Sequence, residues 1–289
     1  VDTVAQLIVN GLLLGGVLAL SALGFNIIFG VMRVVNLAHG DLIVLAALTC
    51  AFAYAHWHIN PLVLLPINAG AAFILGALIQ RFLLRRLPAE IASGEASSLT
   101  LTFGLSYFLA GAGLAIFGGE FRSVPFLTSA IQLGAISIPE ARLLAFGAAI
   151  VIAALLGVFL RYTTIGRAIR ATSMNLEGAL ACGVDAETVR TISFGLGSAV
   201  AAASGTLLSY VYTFSPEAGI SFTISAFAVV AIGGLGNYTG AVLGALILGF
   251  AQAFTSYYAG STIADAAPYI IFVLVMLVLP QGLLGRRAA

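Results

Sequence analysis

The run Leu143-Leu-Ala-Phe-Gly-Ala-Ala-Ile-Val-Ile-Ala-Ala-Leu-Leu-Gly-Val-Phe-Leu160 carries no charge and no hydrogen-bonding side chain, and Arg142 and Arg161 stand at its two ends. At about 1.5 Å per residue a helix of this length covers about 27 Å, close to the roughly 30 Å hydrocarbon core of a bilayer. Inside lipid each backbone N–H and C=O must be paired within the protein, which leaves helices or closed barrels, and the alternation of a barrel strand is absent here. Comparable runs cover 5–30, 39–56, 61–80, 99–118, 192–212, 222–235, 239–258 and 266–284, and Asp41 is the only formal charge inside any of them. Hydrophobic residues make up 61% of the chain and Asp, Glu, Lys and Arg 8%, against about 25% charged in soluble domains. The expected fold is all-α, a polytopic bundle of eight or nine membrane helices forming a single domain over 1–289.

Segment 222–235 is the short one, because only Phe222 to Ile232 precede Gly233-Gly234-Leu235-Gly236, about 17 Å of helix. It either breaks at the glycines or re-enters; a short crossing completed by non-helical backbone buried in protein is preferred, since a re-entrant loop would move Arg286 and Arg287 to the other side. Arg33, Arg81, Arg85, Arg86, Arg161, Arg167, Arg170, Arg190, Arg286 and Arg287 then share one side, the cytoplasmic one by the positive-inside rule. Arg122 and Arg142 lie opposite, offset by Glu120 and Glu140. The N-terminus is expected outside and the C-terminus in the cytoplasm. Val1-Asp2-Thr3 shows no basic region of a cleaved signal, so the first run is expected to be retained.

Every basic residue is Arg, since the chain has no Lys. A Walker A loop and a lysine Schiff base are thereby excluded, and any ATP that drives this protein is hydrolysed by another chain. Cys50 and Cys182 are far apart and indicate neither a disulfide nor a thiolate metal site. No His follows His58, so Ser106 has no downstream base of the Ser-then-His order, and an intramembrane enzyme lacks a nucleophile–base pair. His56 and His58 flank Trp57 two residues apart and do not share a helix face, which argues against a metal site.

Segment 161–190 is the longest polar stretch on the arginine-rich side. Asn175 can cap a short helix with Glu177 in its first turn, Gly183 suits the left-handed residue after its end, and Asp185 with Glu187 repeats the start signal for the next element. A helix at about 176–182 results. Two jobs fit it: contact with a motor domain, or an amphipathic helix lying in the lipid interface with its arginines on anionic headgroups. Ser193, Gly197, Ala201 and Gly205 put small residues on one helix face, as do Gly11/Gly15 and Gly240/Gly244, where a neighbouring backbone can come close. Gly15–Gly24 and Gly240–Gly249 share a G-x-V-L-x-x-x-x-L-G pattern, a weak trace of an internal repeat.

Asn36, His39 and Asp41 could form a polar hinge near the cytoplasmic mouth, or Asp41 could simply serve the start of the second helix. Gly233, Gly234 and Gly236 could open backbone dipoles to a permeating solute, or allow close packing of helices.

Three separated motifs resemble the permease subunits of branched-chain amino-acid ABC importers, and with their spacing they span nearly the whole chain. The first is Gly24-Phe-Asn-Ile-Ile-Phe29-Gly30 followed by Asn36-Leu-Ala38-His39-Gly40; the second is Thr164-Ile-Gly166-Arg167-Ala168-Ile-Arg170-Ala171 with Gly183-Val184; the third is Gly233-Gly234-Leu235-Gly236-Asn237-Tyr-Thr-Gly240. The resemblance implies a bacterial inner-membrane complex: this chain as the shorter permease, a second and longer homologous permease, two ATP-binding subunits on the cytoplasmic side, and an extracytoplasmic solute-binding protein, all set in membrane lipid. It implies no catalytic residue, metal or cofactor in the chain itself. Gly166, Arg167, Arg170, Asn175, Glu177, Ala179 and Gly183 are the implied ATPase-coupling residues, and Asn36, His39, Asp41, Gly233, Gly234 and Gly236 are candidates for the translocation pathway. The solute would be small and neutral or zwitterionic, a branched-chain or other hydrophobic amino acid. Asn237, where Ser is frequent in the family, also resembles urea or amide importers, and aromatic-acid importers are a further alternative. A secondary transporter or channel working without ATP would call for more ionisable groups at membrane depth than Asp41 alone.

Overall fold

The computed structural model describes residues 2–86, 95–279 and 281–285. Among them are nine helical segments long and apolar enough to cross a membrane: α1 (Asp2–Met32), α2 (His39–Trp57), α3 (Pro61–Phe82), α4 (Glu95–Phe117), α5 (Glu140–Tyr162), α8 (Ala186–Leu208), α9 (Gly219–Gly233, long enough together with the 3-10 turn Pro216–Ala218 before it), α10 (Tyr238–Ala259) and α11 (Ser261–Val278). Two short helices, α6 (Thr164–Met174) and α7 (Leu176–Ala181), lie between α5 and α8. The all-α polytopic bundle expected from composition is what forms, and the protein is a multi-pass membrane protein.

α1 and α8 form the centre, with α10, α3 and α2 packed against them. Burial grades outward. In the most apolar windows of α1 and α8, 78% of residues are inside the protein, against 17% in α5 and α11. In water such outward apolar surface would drive association; in a bilayer it meets acyl chains of matching polarity.

With no water to expel between helices in lipid, close backbone contact has to hold the centre, and the small residues supply it. A Cβ on Gly197 would overlap the Gly24 carbonyl and Ile28 of α1, and one on Gly205 would overlap the backbone of Ile43 in α2. One small-residue face of α8 thus receives two neighbours. Gly11 and Gly15 of α1 face α10, where a Cβ on Gly249 would lie 2.5 Å from both the Gly11 oxygen and the Gly15 Cα.

Several boundaries differ from the sequence-based expectation. α8 starts at Ala186 and stops at Leu208 rather than running through 212. Residues 209–214 leave the helix and pair with the loop after α4 instead: Val124 N donates to the Ser209 oxygen at 3.0 Å, and Arg122 and Phe214 exchange backbone bonds at 2.9 and 2.7 Å. α9 starts three residues earlier than expected, after a turn at Pro216–Ala218, and its 15 residues give about 22 Å of helix. Its start adjoins the beginning of α2 and its end leads into α10, with irregular backbone at each end.

α11 ends at Val278 rather than near 284, because Leu279 precedes a proline and is pushed out of helical geometry, to φ −134° and ψ 74°. Residues 281–285 then fold under α9, Leu283 N donating to the Ile232 oxygen at 2.8 Å and Leu284 N to the Gly233 oxygen at 3.0 Å. A two-stranded hairpin, β1 (Ala130–Leu133) with β2 (Ile136–Pro139), was not anticipated; it turns at Gly134, φ +64°, and is tied to α1 by two bonds between Gln6 and the Ser137 backbone. Arg286 and Arg287 lie outside the described residues.

Candidate functional site

One end of the bundle is built from the polar segment after α5. Thr163 Oγ1 accepts from Gly166 N at 2.9 Å and starts α6. Gly166 lies against the last turn of α5, where a Cβ would overlap the Phe159 and Leu160 backbone, so only glycine lets α6 turn off α5 this closely. The segment therefore holds two helices where the sequence pattern predicts one, because Thr163 caps an additional helix start. Asn175 Oδ1 then accepts from Gly178 N at 3.0 Å and starts α7.

α7 closes with a paired C-terminal motif: Gly183 at φ +80° donates to the Leu180 oxygen at 2.9 Å and Val184 N to the Ala179 oxygen at 3.1 Å. Asp185 next caps α8, accepting from Glu187 N at 3.0 Å and from the Thr188 hydroxyl at 2.5 Å; that hydroxyl holds its carboxyl below the ordinary aspartate range. Ala179 is buried and seats α7, while Glu177, Leu180 and Cys182 face outward. The anchors run back into the bundle. Arg85 pairs with Glu187 at 3.3 Å, Arg170 donates to the Arg161 oxygen at 3.3 Å, and Arg33, held at φ +56°, donates to the Ser173 oxygen at 3.1 Å. The Arg167 side chain is exposed and makes no hydrogen bond or ion pair among the described residues, while its N–H donates to the Thr163 oxygen at 3.0 Å.

The second constellation lies deeper. Asn36 Oδ1 accepts from Ala38 N at 3.1 Å, while His39 Nε2 meets the Ser21 oxygen at 3.0 Å and the ring stands edge-on to Phe25. Ser21 is eleven residues before the end of α1 at Met32, or about 17 Å, so the chain turns back into the bundle before α2 begins. Asn36, His39 and Asp41 thus lie inside the bundle rather than at its mouth.

Asp41 is in the first turn of α2, whose N-cap position is Ala38, without a side-chain cap. Its carboxylate meets the Ser106 hydroxyl of α4 and its own amide, and it abuts Gly219, the first residue of α9, where a Cβ would overlap Oδ1. Thr223 Oγ1 accepts from Gly40 N and donates to the Leu37 oxygen, each at 2.8 Å, locking α9 to the start of α2. Asp41 Oδ2, His39 Nδ1 and Asn36 Nδ2 are buried and unpartnered.

The glycine motif lies at the far end of α9. Gly233 and Gly240 pack backbone to backbone, and Gly234, φ +105°, packs on Gly285. Gly236, φ +79°, donates its N–H to Asn26 Oδ1 at 2.8 Å. Asn237 caps α10 by accepting from Gly240 N at 3.0 Å and ties down the last described residues by donating to the Leu284 oxygen at 2.9 Å. Gly236 and Asn237 line a cavity of about 970 Å³ together with Asn26, Arg33, Arg161 and Arg170; Gly233 and Gly234 do not reach it.

α9 therefore joins the two constellations, with Thr223 near one end and Gly236 just past the other. Asn26, Arg33 and Thr223 were not singled out as site residues from sequence, and Ser106 was weighed only as a nucleophile. Asn26 and Arg33 were detectable as polar residues within the first motif; the partnerships of Ser106 and Thr223 are tertiary and leave no local signal. Among the described residues no group of three His, Cys, Asp or Glu side chains could hold a metal ion.

Against known proteins, residues 7–280 match the family described as branched-chain amino acid transport system, permease component. The high-affinity branched-chain amino acid transport system permease protein LivH of Escherichia coli K12 is 30% identical over 97% of this chain and 95% of its own length. The corresponding BraD of Pseudomonas aeruginosa is 28% identical with the same coverage, and a probable LivH of Methanocaldococcus jannaschii is 32% identical over 47% of this chain. In fold, the chain is similar to PsaBC from Streptococcus pneumoniae, solved in complex with an Fab, at a TM-score of 0.51 and 14% identity, covering 96% of this chain and 93% of that one. The family match covers far more than half of the chain and the Escherichia coli and Pseudomonas aeruginosa relatives align over nearly their whole length, so this protein belongs to the branched-chain amino acid transport system permease family.

Proposed function

We propose that the chain is the membrane-spanning permease subunit of an ATP-driven importer for a small zwitterionic solute, a branched-chain or other hydrophobic amino acid. Supporting this are the family match and the names of its full-length relatives. The single observation that carries the ATP-driven part is α7, a helix too short to persist alone, capped at both ends and offering Glu177 and Leu180 outward at the arginine-rich end.

In this reading two ATP-binding subunits dock at that end, which is cytoplasmic, and a second, longer permease completes the pathway. A solute-binding protein delivers the amino acid from outside. Closure of the ATP-binding subunits on ATP displaces α7. Ala179 and the Asp185 cap pass the movement to α8, and Arg33 passes it through Ser173 to the end of α1. α9, hinged by irregular backbone at both ends and pinned to α2 through Thr223, is the element that changes access. The chain forms no covalent intermediate and holds no prosthetic group.

Asn237 caps α10, so a capping residue is needed there whatever the solute. Radiolabelled leucine uptake into proteoliposomes tests the proposal. With both ATP-binding subunits, the second permease and the binding protein present, ATP trapped on their side should drive accumulation above the external level. Equal uptake without nucleotide would refute it.

A further inference from the structure

At the end of the bundle opposite α7, a cavity of about 420 Å³ opens between α1, α10, α11 and the residues following α8. That volume is within the roughly 300–1,000 Å³ usual for small-molecule sites. Its wall holds one cation and one anion, Arg142 from the first turn of α5 and Asp265 from the start of α11. The two do not form an ion pair with each other. The neighbouring carboxylate that could have neutralised Arg142, that of Glu140, is instead engaged by the Ser129 hydroxyl at 3.0 Å. Both charges reach the phenol of the partly buried Tyr212 in the same wall, which brings them to one place. Gln252 Oε1, buried and without a partner, also belongs to the lining, and Leu14 and Val17 supply an apolar flank.

A buried acceptor with no donor costs about 1–3 kcal/mol in general, so a lining that keeps one beside two unpaired charges is suited to a ligand that brings the missing groups. The ligand must carry a planar anion for the guanidinium fork, N–H donors for Asp265 and Gln252, and an apolar body. We propose that this cavity is an entry site for a free hydrophobic α-amino acid, its carboxylate on Arg142, its ammonium shared by Asp265 and Gln252, and its side chain against Leu14 and Val17. The inference rests on the import reading above and names where, on this chain, the delivered solute is first held.

The test is equilibrium binding of radiolabelled leucine to the purified full complex of permeases and ATP-binding subunits in nanodiscs, without the binding protein. Saturable binding is expected, competed by isoleucine but neither by leucinamide, which lacks the carboxylate, nor by the deaminated acid, which lacks the ammonium. Arg142→Gln and Asp265→Asn should each weaken binding at least about tenfold, and Arg142→Lys should recover part of the loss. Gel-filtration and melting profiles matching the parent complex show that the variants remain folded. Leucine binding equal in parent and variants overturns the site, as does native mass spectrometry showing a copurified phospholipid that both variants release. ATP-driven uptake by the parent complex is scored in parallel. If uptake is intact while binding ignores Arg142 and Asp265, this site alone is wrong; if no ATP-driven uptake occurs, the import reading itself has failed.

Discussion

Replacing Asn175 by Ala removes one hydrogen bond, the one from Gly178 N to the side chain at 3.0 Å, and leaves the membrane helices untouched. Loss of an N-cap of this type costs about 1 kcal/mol, with a range of about 0.5–2. In a long helix that loss would be diluted. α7 has six residues, well under the roughly 12–15 at which isolated helices begin to persist, and only Ala179 is buried, so nearly the whole cost falls on the local folding of α7. One kcal/mol is about a fivefold change in an equilibrium constant, and the amides of 178–184 should exchange with solvent about five times faster while those of α8 and α10 do not change. If α7 transmits motor closure, ATP-driven leucine uptake should fall several-fold with assembly and nucleotide binding retained, and Asn175→Asp or Asn175→Ser should restore both readouts. Hydrogen exchange read by mass spectrometry, with uptake assayed on the same preparation, checks this. Uptake at the parental rate despite faster exchange in α7 would refute the reasoning.

Gly249→Leu should lower the melting temperature of the purified complex by several degrees or prevent assembly, because its side chain would push α10 off α1 at Gly11 and Gly15, and overpacking of this kind costs about 1–3 kcal/mol or more. Gly219→Ala should be disruptive for the same reason, its Cβ overlapping Asp41, whereas Ser221→Ala, two residues on, should not; size-exclusion profiles of both variants give the comparison. The carboxyl of Asp185 is held below its ordinary value of 3.8 by Thr188, so its cap stabilises the start of α8 above that pH and is lost only as pH falls through the lower folded-state value. Thr188→Ala should move that loss upward toward pH 3.8, read as exchange of the Glu187 amide across an acid titration.

Much of the fold was legible because the bilayer is a severe solvent. Uncharged runs such as 143–160 have one available conformation, and a short helix is announced by its capping residues, as Asn175, Gly183 and Asp185 show. The ends were less legible wherever tertiary pairing replaces the helix. Nothing local in Ser209-Tyr-Val-Tyr says that residues 122–124 will take over its hydrogen bonds, and the same holds for the return of 281–285 under α9. The candidate site was legible in its polar residues and not in its geometry. Asn36, His39 and Asp41 stood out by charge and polarity, yet their position well inside the bundle follows from contacts with Ser21, Thr223 and Gly219 up to about 180 residues away, which periodicity cannot report. The glycines at 233 and 234 read equally as pathway or as packing, and their neighbours are backbone.

Cys182, at the C-cap of α7, is exposed, whereas Cys50 is buried, so a membrane-impermeant maleimide reports on α7 with no engineered residue. In sealed vesicles of known orientation, Cys182 should label only from the cytoplasmic face, and docking of the ATP-binding subunits should protect it. Labelling from the outer face, or labelling that proceeds at the same rate with those subunits bound, would contradict the claim that α7 is where ATP-driven force enters this permease.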